Sequence, residues 1–521
     1  MPEAVPGMDP EKGSGDVLKG RLSMKKRSTL ALVMPALLCF SVLCAGQIAP
    51  ETEQKLDPVF EKGKDAFYAS VTALLKGHFR RPELSEADLA RLLKAREETP
   101  YLFERLMIFA FQKDAPTFQA LAGRGDDASL QQFQEKFLEL SQDYAARFVG
   151  SLFRKTRLFE FEMALPHNKG KSRLELVLQS IGFNAKNELP DIPREKWYSN
   201  PLKPDLAAQW AVDAVRAREC WPRTKGSGVV VAVIDSGIDP YNALFKGRLV
   251  PGFNFLKRTK APWKNEEAPV IDYGLHGTGV ASVLLAIAPD CRIMPVRAMD
   301  ADTMNDPAFD YWPHEFEAAG IYYAVNHGAH VISVSAALHA SQPVVAEAVR
   351  YAYKKNVVIC TSAGNISRSQ FGLDPDDASY RAFDSEVLLI GGIEKRGPDF
   401  RPWPHSLPNP LVDVAAPSAE IFVLVPSYLP EFKDDYVAGT SLAAPIAAGV
   451  VALLRSAVPP SPDILQKPAA YCRLVSRCLW ETARLDVLDA VEPDDMVGRG
   501  LIDAEAAVRL MHRLAASPQS D

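Results

Sequence analysis

No internal repeat and no low-complexity tract breaks up the 521 residues, which excludes solenoid and fibrous architectures. Charge of one sign is not in excess either. The 59 Lys and Arg against 65 Asp and Glu leave a net charge of −6, without the basic footprint of a nucleic-acid-binding protein. The apolar stretch from Leu30 to Ala45 is about 16 residues long and holds Pro35, short of the roughly 20 that cross a bilayer. Cysteine is sparse. Cys39 and Cys44 lie in that stretch without a small-residue lipoprotein signature, so lipidation is not expected. Beyond it only Cys220, Cys291, Cys360, Cys472 and Cys478 remain, an odd set that leaves one thiol unpaired within a chain. Cys472 and Cys478 are near enough in sequence for a local disulfide in an oxidising compartment, and Cys360 reads as a small hydrophobe.

With 47% apolar and 24% charged residues, the chain is long enough for two domains, each with its own core. Residues 1–23 are a polar extension, with Met24 the better initiator. Residues 24–46 run from Met24-Lys25-Lys26-Arg27 through the apolar stretch to Gly46-Gln47, the form of a secretory signal peptide, or of an uncleaved anchor over 30–45. Residues 47–165 read as a helical domain. Asp57-Pro58 and Thr99-Pro100 offer helix starts, and Ser85-Glu86-Ala87-Asp88 approximates a capping box. Phe60, Phe67, Val71, Leu74 and Leu75 recur at helical spacing, as do Phe133, Phe137, Leu140, Tyr144, Phe148 and Leu152, forming the core stripe of a small bundle. A polar, proline-punctuated linker over 166–200 separates this region from residues 201–514, and 515–521 is a tail.

Four segments in the second half carry chemistry. Gly228 to Ile234 is a β-branched run read as a buried parallel strand, and it ends on Asp235, where open α/β sheets build their sites. His276-Gly277-Thr278-Gly279 precedes an apolar helical stretch, Val280 to Ile287. Gly439-Thr440-Ser441 is a small-residue turn before another, Ile446 to Leu454. Aspartate, histidine and serine in that order suit a triad in which the base takes the serine proton and the buried acid fixes the histidine tautomer. Val357 to Gly364 is a second buried strand leading to Asn365, whose amide can donate to an oxyanion, an interaction typically worth about 2.7 to 4 kcal/mol. Taken singly, each has an ordinary structural explanation: Ser441 as a helix cap, Asn365 as a turn residue. No cysteine occupies a turn-to-helix setting beside His276, which argues against a thiol nucleophile.

These segments together resemble the subtilisin-like serine proteases, the subtilases. The resemblance extends to Pro201-Leu202, Gln209 to Ala214, Ala288-Pro289, His330 to Ser335, Asp413 to Pro417 and Gly500 to Ala504, in the family's order. It implies an α/β three-layer fold around a central parallel β-sheet, here preceded by a mainly helical N-terminal domain. It implies a serine endopeptidase acting on protein or peptide substrates, with Asp235, His276 and Ser441 catalytic and Asn365 in the oxyanion hole. Ser333, Ser335, Ala337 and Gly364 would bind substrate. The chemistry needs no cofactor; structural calcium is a family expectation, but no complete ligand set maps onto the chain, and Asp300 and Asp302 are too generic to name. The location implied is secreted or periplasmic, with membrane anchoring by residues 30–45 as the alternative.

Departures from the family pattern are Gly279 in place of a second histidine, Leu442 after the nucleophile, and Ala337 where a glycine is common, narrowing the specificity pocket. The acidic stretch Asp374 to Tyr380 reads as a solvated loop or a wall favouring basic side chains. Phe309, Tyr311 and Trp312 would form an outer subsite or a hydrophobic plug. The helical region holds the position of a prosegment that blocks the cleft, without its usual mixed strands, and is either a divergent inhibitory prodomain or a partner-binding domain. Two rival functions remain: a catalytically silent protease-like binding protein, and a transpeptidase or ligase using the same triad.

Overall fold

The computed structural model describes residues 50–78, 113–154 except 115 and 119, 206, 209–255, 270–299 except 273 and 274, 314–336, 338, 342–365, 383, 385–427, 434–489 and 495–516. The signal segment, the linker, Ser85 to Asp88, Thr99-Pro100, Pro201-Leu202, Asp300, Asp302, Phe309, Tyr311, Trp312, Asp374 to Tyr380 and Ala337 lie outside the described residues, as do the side chains of Leu75, Tyr144, Phe148 and Leu152.

The scaffold is a sheet in the order β2-β3-β1-β4-β5-β6-β7, with β8 also paired to β6. Its strands are β1 (Val230–Asp235), β2 (Phe253–Asn254), β3 (Arg292–Arg297), β4 (Val331–Val334), β5 (Val358–Ser362), β6 (Leu388–Arg396), β7 (Asp399–Pro402) and β8 (Val414–Pro417). All pairings are parallel except that of β6 with β7. Parallel strands need crossover helices on the faces, so their sequences are apolar on both sides. Strand β1 makes this plain. Val231 and Val233 join a core with Ile293, Val358 and the helices α5 (Gly277–Ile287), α8 (Thr440–Ala457), α10 (Ala470–Thr482) and α11 (Ala504–Ala516). Val230, Ala232 and Ile234 face the other way, towards α6 (His314–Asn326) and α7 (Pro343–Lys354). The result is the three-layer α/β architecture expected.

Helix α8 is apolar enough to span a membrane by composition, but it is the buried central helix of its layer. Short helices α3 (Trp210–Ala214) and α4 (Ala217–Cys220) precede the sheet and are tied to the start of α11. Asp503 pairs with Arg216 and Arg484, and Glu505 with Arg223 and Arg509.

The N-terminal helices are α1 (Pro50–His78) and α2 (Asp127–Arg154). Their aromatic stripes meet as expected: Phe60 and Phe137 stack with ring centroids 6.0 Å apart, and Phe133 packs edge-on against Phe118 at 4.8 Å. A Cβ at Gly63 would lie 2.2 Å from the Phe137 ring, so the absence of a side chain there permits the close approach. Two expectations are corrected. Helix α1 does not begin at Asp57-Pro58 but runs through it from Pro50; Pro58 is exposed while Leu56, Val59 and Phe60 are buried, and that burial outweighs the single lost helix bond. Nor do these helices keep a separate core. Their aromatics belong to one apolar cluster with the α6/α7 face of the sheet, and Lys113 pairs with Glu347 of α7 at 2.6 Å.

The five described cysteines are all buried and free. Cys472 and Cys478 both sit on α10; six residues correspond to about 9 Å of helical rise, too far apart for a disulfide. Cys360 is enclosed on β5. Helix α11 continues to Ala516, two residues into the span expected as a tail, and residues 517–521 lie outside the described residues.

Candidate active site

Parallel neighbours β1, β4 and β5 place the residues that follow them at one edge of the sheet. Asp235 ends β1, Ser335 follows β4, and Asn365 lies just beyond β5. Helices α5 and α8, which begin at His276-Gly277 and Gly439-Thr440, pack against each other on the same layer.

Asp235 is 1% exposed, and a carboxylate so buried requires donors. Its Oδ1 accepts the Ser236 backbone N–H at 2.7 Å, and His276 Nδ1 lies 2.9 Å from Oδ1 and 3.0 Å from Oδ2. Two carboxylate oxygens against Nδ1 select the tautomer protonated there and leave the Nε2 lone pair as the base. This closeness depends on glycine. A Cβ at Gly277 would lie 2.1 Å from the Gly237 carbonyl, and one at Gly237, where φ is 115°, 2.3 Å from the Ile271 carbonyl.

Further hydrogen bonds back the acid. Ser236 Oγ donates to Asp272 Oδ1 at 2.7 Å and accepts the Gly277 N–H at 2.9 Å. Asp272 Oδ2 accepts the Thr278 N–H at 2.9 Å, and Thr278 Oγ1 accepts the Asp239 N–H at 2.9 Å. Asp239 in turn accepts from Ser427 N–H at 2.9 Å and Ser427 Oγ at 2.7 Å, which fixes the loop after β9 (Ile421–Val423). Burial pushes the Asp272 and Asp239 carboxyls above their ordinary range, and these hydrogen bonds oppose the push.

On the other side, Ser441 is the second residue of α8. Its Oγ donates to the Ser335 carbonyl at 3.3 Å, and Ser335 Oγ donates to the Ser441 carbonyl at 2.7 Å. Asn365 Oδ1 accepts from Thr440 N–H at 3.0 Å and Thr440 Oγ1 at 2.9 Å. Because a backbone N–H can only donate, the amide oxygen must face Thr440, which turns Nδ2 away from it as a donor. Thr440 Oγ1 also accepts the Gly364 N–H at 3.1 Å, so Gly364, Asn365 and Thr440 form one unit.

The structure thus joins Asp235 to His276, and Ser441 to Ser335, with Asn365 and Gly364 tied to the residue before Ser441. Ser333 is a correction. It is fully buried within β4, opposite Val233 and Cys360, on the face covered by α8, and its side chain does not reach the cleft. At Gly279 a Cβ would already stand 3.3 Å from Val423, so β9 fills the space a second histidine would need. Sequence reasoning passed over Ser236, Thr440 and Asp272. The first two stood inside recognised motifs, whereas Asp272 carried no local signal beyond lying four residues before His276. Among the described residues no group of three or more His, Cys, Asp or Glu could hold a metal ion.

The profile of the subtilase family matches residues 226–498. The chain is 28% identical to an intracellular serine protease of Paenibacillus polymyxa over 282 residues, 51% of this chain and 79% of that one. It is 29% identical to fervidolysin of Fervidobacterium pennivorans over 294 residues, 50% of this chain and 39% of that one. Among solved structures, MycP1 from Mycobacterium smegmatis aligns with a TM-score of 0.45 at 24% identity, over 61% of this chain and 90% of that one.

Proposed function

This chain belongs to the subtilase family of serine endopeptidases, and from that premise we propose that Asp235, His276 and Ser441 form the triad with which it hydrolyses peptide bonds through an acyl-enzyme. Ser441 Oγ turns from the Ser335 carbonyl to His276 Nε2, gives up its proton there, and bonds to the substrate carbonyl carbon. The oxyanion receives hydrogen bonds from Asn365 Nδ2 and the Ser441 N–H. His276 then passes the proton to the leaving amine as the C–N bond breaks, and takes another from the water that releases the acyl group. Asp235 holds the imidazole in place and stabilises its charged form without itself becoming protonated.

The observation that carries this reading is the buried Asp235 carboxylate set with both oxygens against His276 Nδ1. Two finer readings accompany it. The basic start and apolar stretch of residues 24–46 support an extracytoplasmic location. The cluster that joins α1 and α2 to the α6/α7 face supports the N-terminal helical region as an intramolecular inhibitory partner.

Labelling by a fluorophosphonate probe tests the nucleophile. Wild type is expected to label and Ser441→Ala not to. Labelling that survives the substitution would refute the assignment, and a folded wild type that never labels, even without the residues before about 200, would mark a binding protein.

A further inference from the structure

In a regular helix the carbonyl of Ser441 would accept the N–H of residue 445. That residue is Pro445, inside α8. It has no N–H, and its ring crowds the carbonyl four positions before it. The backbone group stripped of its helical partner therefore belongs to the nucleophile itself. A carbonyl in that position must find another donor, and the donor is Ser335 Oγ, 2.7 Å away and 3% exposed just past the end of β4. The exchange is reciprocal, since Ser441 Oγ rests on the Ser335 carbonyl at 3.3 Å.

We propose that Ser335 is a positioning residue for the nucleophile: its hydroxyl replaces the helical hydrogen bond that Pro445 removes, so the backbone of Ser441 is aimed from strand β4 and not by helix α8 alone. The Ser335 side chain is turned to Ser441, and its part in the reaction is therefore on the chemical step rather than on substrate affinity. Pro445 and Ser335 are complementary. The proline opens the carbonyl and the serine closes it, so restoring the N–H at 445 makes the serine hydroxyl dispensable.

The inference rests on Ser441 being the nucleophile, and the test separates the two. Ser335→Ala is expected to lower kcat and the rate of fluorophosphonate labelling together by about 10- to 100-fold, with KM little changed, as for a small displacement of a reacting group. Ser335→Thr, which keeps the hydroxyl, retains most of the activity. Pro445→Ala alone stays within about 3-fold of wild type, and in the Ser335→Ala background it recovers most of the loss, because the N–H at 445 again reaches the Ser441 carbonyl. If Ser335→Ala does not fold, Ser335→Cys, of similar size but a weaker donor, carries the same comparison. Equal impairment with and without Pro445→Ala, a rise in KM at constant kcat, or wild-type labelling of Ser335→Ala would each overturn the proposal. A wild type that does not label at all overturns the nucleophile assignment and this inference with it.

Discussion

Asp235 and His276 are held mainly by side chains, whereas Ser441 and Asn365 are held mainly by main chain. Behind the acid stand Ser236, Asp272, Thr278, Asp239 and Ser427, most of them buried, passing hydrogen bonds from the end of β1 to the start of α5 and on to the loop after β9. On the Ser441 side, the backbone N–H groups of Thr440 and Gly364 and the carbonyls of Ser335 and Ser441 do the holding, with Thr440 Oγ1 and Ser335 Oγ as the side-chain links. A buried carboxylate must have its donors supplied one by one, so the acid needs a dedicated network. A helix start and a strand end already supply oriented backbone groups, so Ser441 and Asn365 need only two side chains to fix their register. The first half therefore depends on chemical identity and the second on backbone geometry.

Substitutions test that difference, beginning with the acid. In Asp235→Asn the Ser236 N–H demands the amide oxygen, so the amide nitrogen faces His276 Nδ1 and forces the tautomer protonated at Nε2, which cannot accept the serine proton. A fall in kcat of about 10⁴ is expected, with an unchanged circular dichroism spectrum; a loss of only a few-fold would show that Asp235 does not control the tautomer. On the other side, Asn365→Ala removes the proposed oxyanion donor and is expected to lower kcat about 10²- to 10³-fold with little change in KM. Thr440→Val leaves its backbone N–H on Asn365 Oδ1, so its loss of kcat is expected to be smaller than that of Asn365→Ala. Equal losses would mean that the threonine hydroxyl, and not the backbone, orients the amide.

The smallest effect belongs to the opposite end of the sheet. His330 Nδ1 accepts the Val230 N–H at 3.0 Å, and burial, with Arg455 and Arg292 nearby, lowers its pKa to about 4. The folded value lies below the ordinary 6.5, so the neutral form contributes stability that is complete above about pH 6.5 and is lost as pH falls towards 4. His330→Gln, which keeps an acceptor and does not titrate, is expected to flatten the decline of the urea midpoint between pH 7 and pH 4.5 while kcat at neutral pH stays unchanged. An identical decline in both proteins would remove His330 from the acid response.

Legibility followed locality. Asp235 could be read because an apolar parallel strand ending on an acid is a local pattern, and His276 and Ser441 because each stands beside glycine at the head of an apolar helix. Ser333 and Ser335 looked equivalent, being two apart on a strand, but β4 ends at Val334, so Ser333 is held inside the sheet, whereas Ser335, equally buried, lies past the strand end and turns its hydroxyl to the Ser441 carbonyl. Pro58 resembled a helix start, and only the burial of its neighbours on α1 shows that the helix passes through it. The disulfide between Cys472 and Cys478 was excluded once both were found on one helix.

From sequence alone came the buried strands β1 and β5, the apolar helices that follow His276 and Ser441, and the residues proposed for the chemistry, all of which rest on residue type, on local pattern and on the family resemblance. Tertiary structure decided how those residues are held. Asp272 meets Ser236 across 36 positions, Ser335 meets Ser441 across 106, and Asn365 meets Thr440 across 75. Hydrogen bonds of that reach depend on the packing of helices α5 and α8 on the sheet, because donor and acceptor must come within about 3 Å of each other, and no local pattern records which groups that packing brings together.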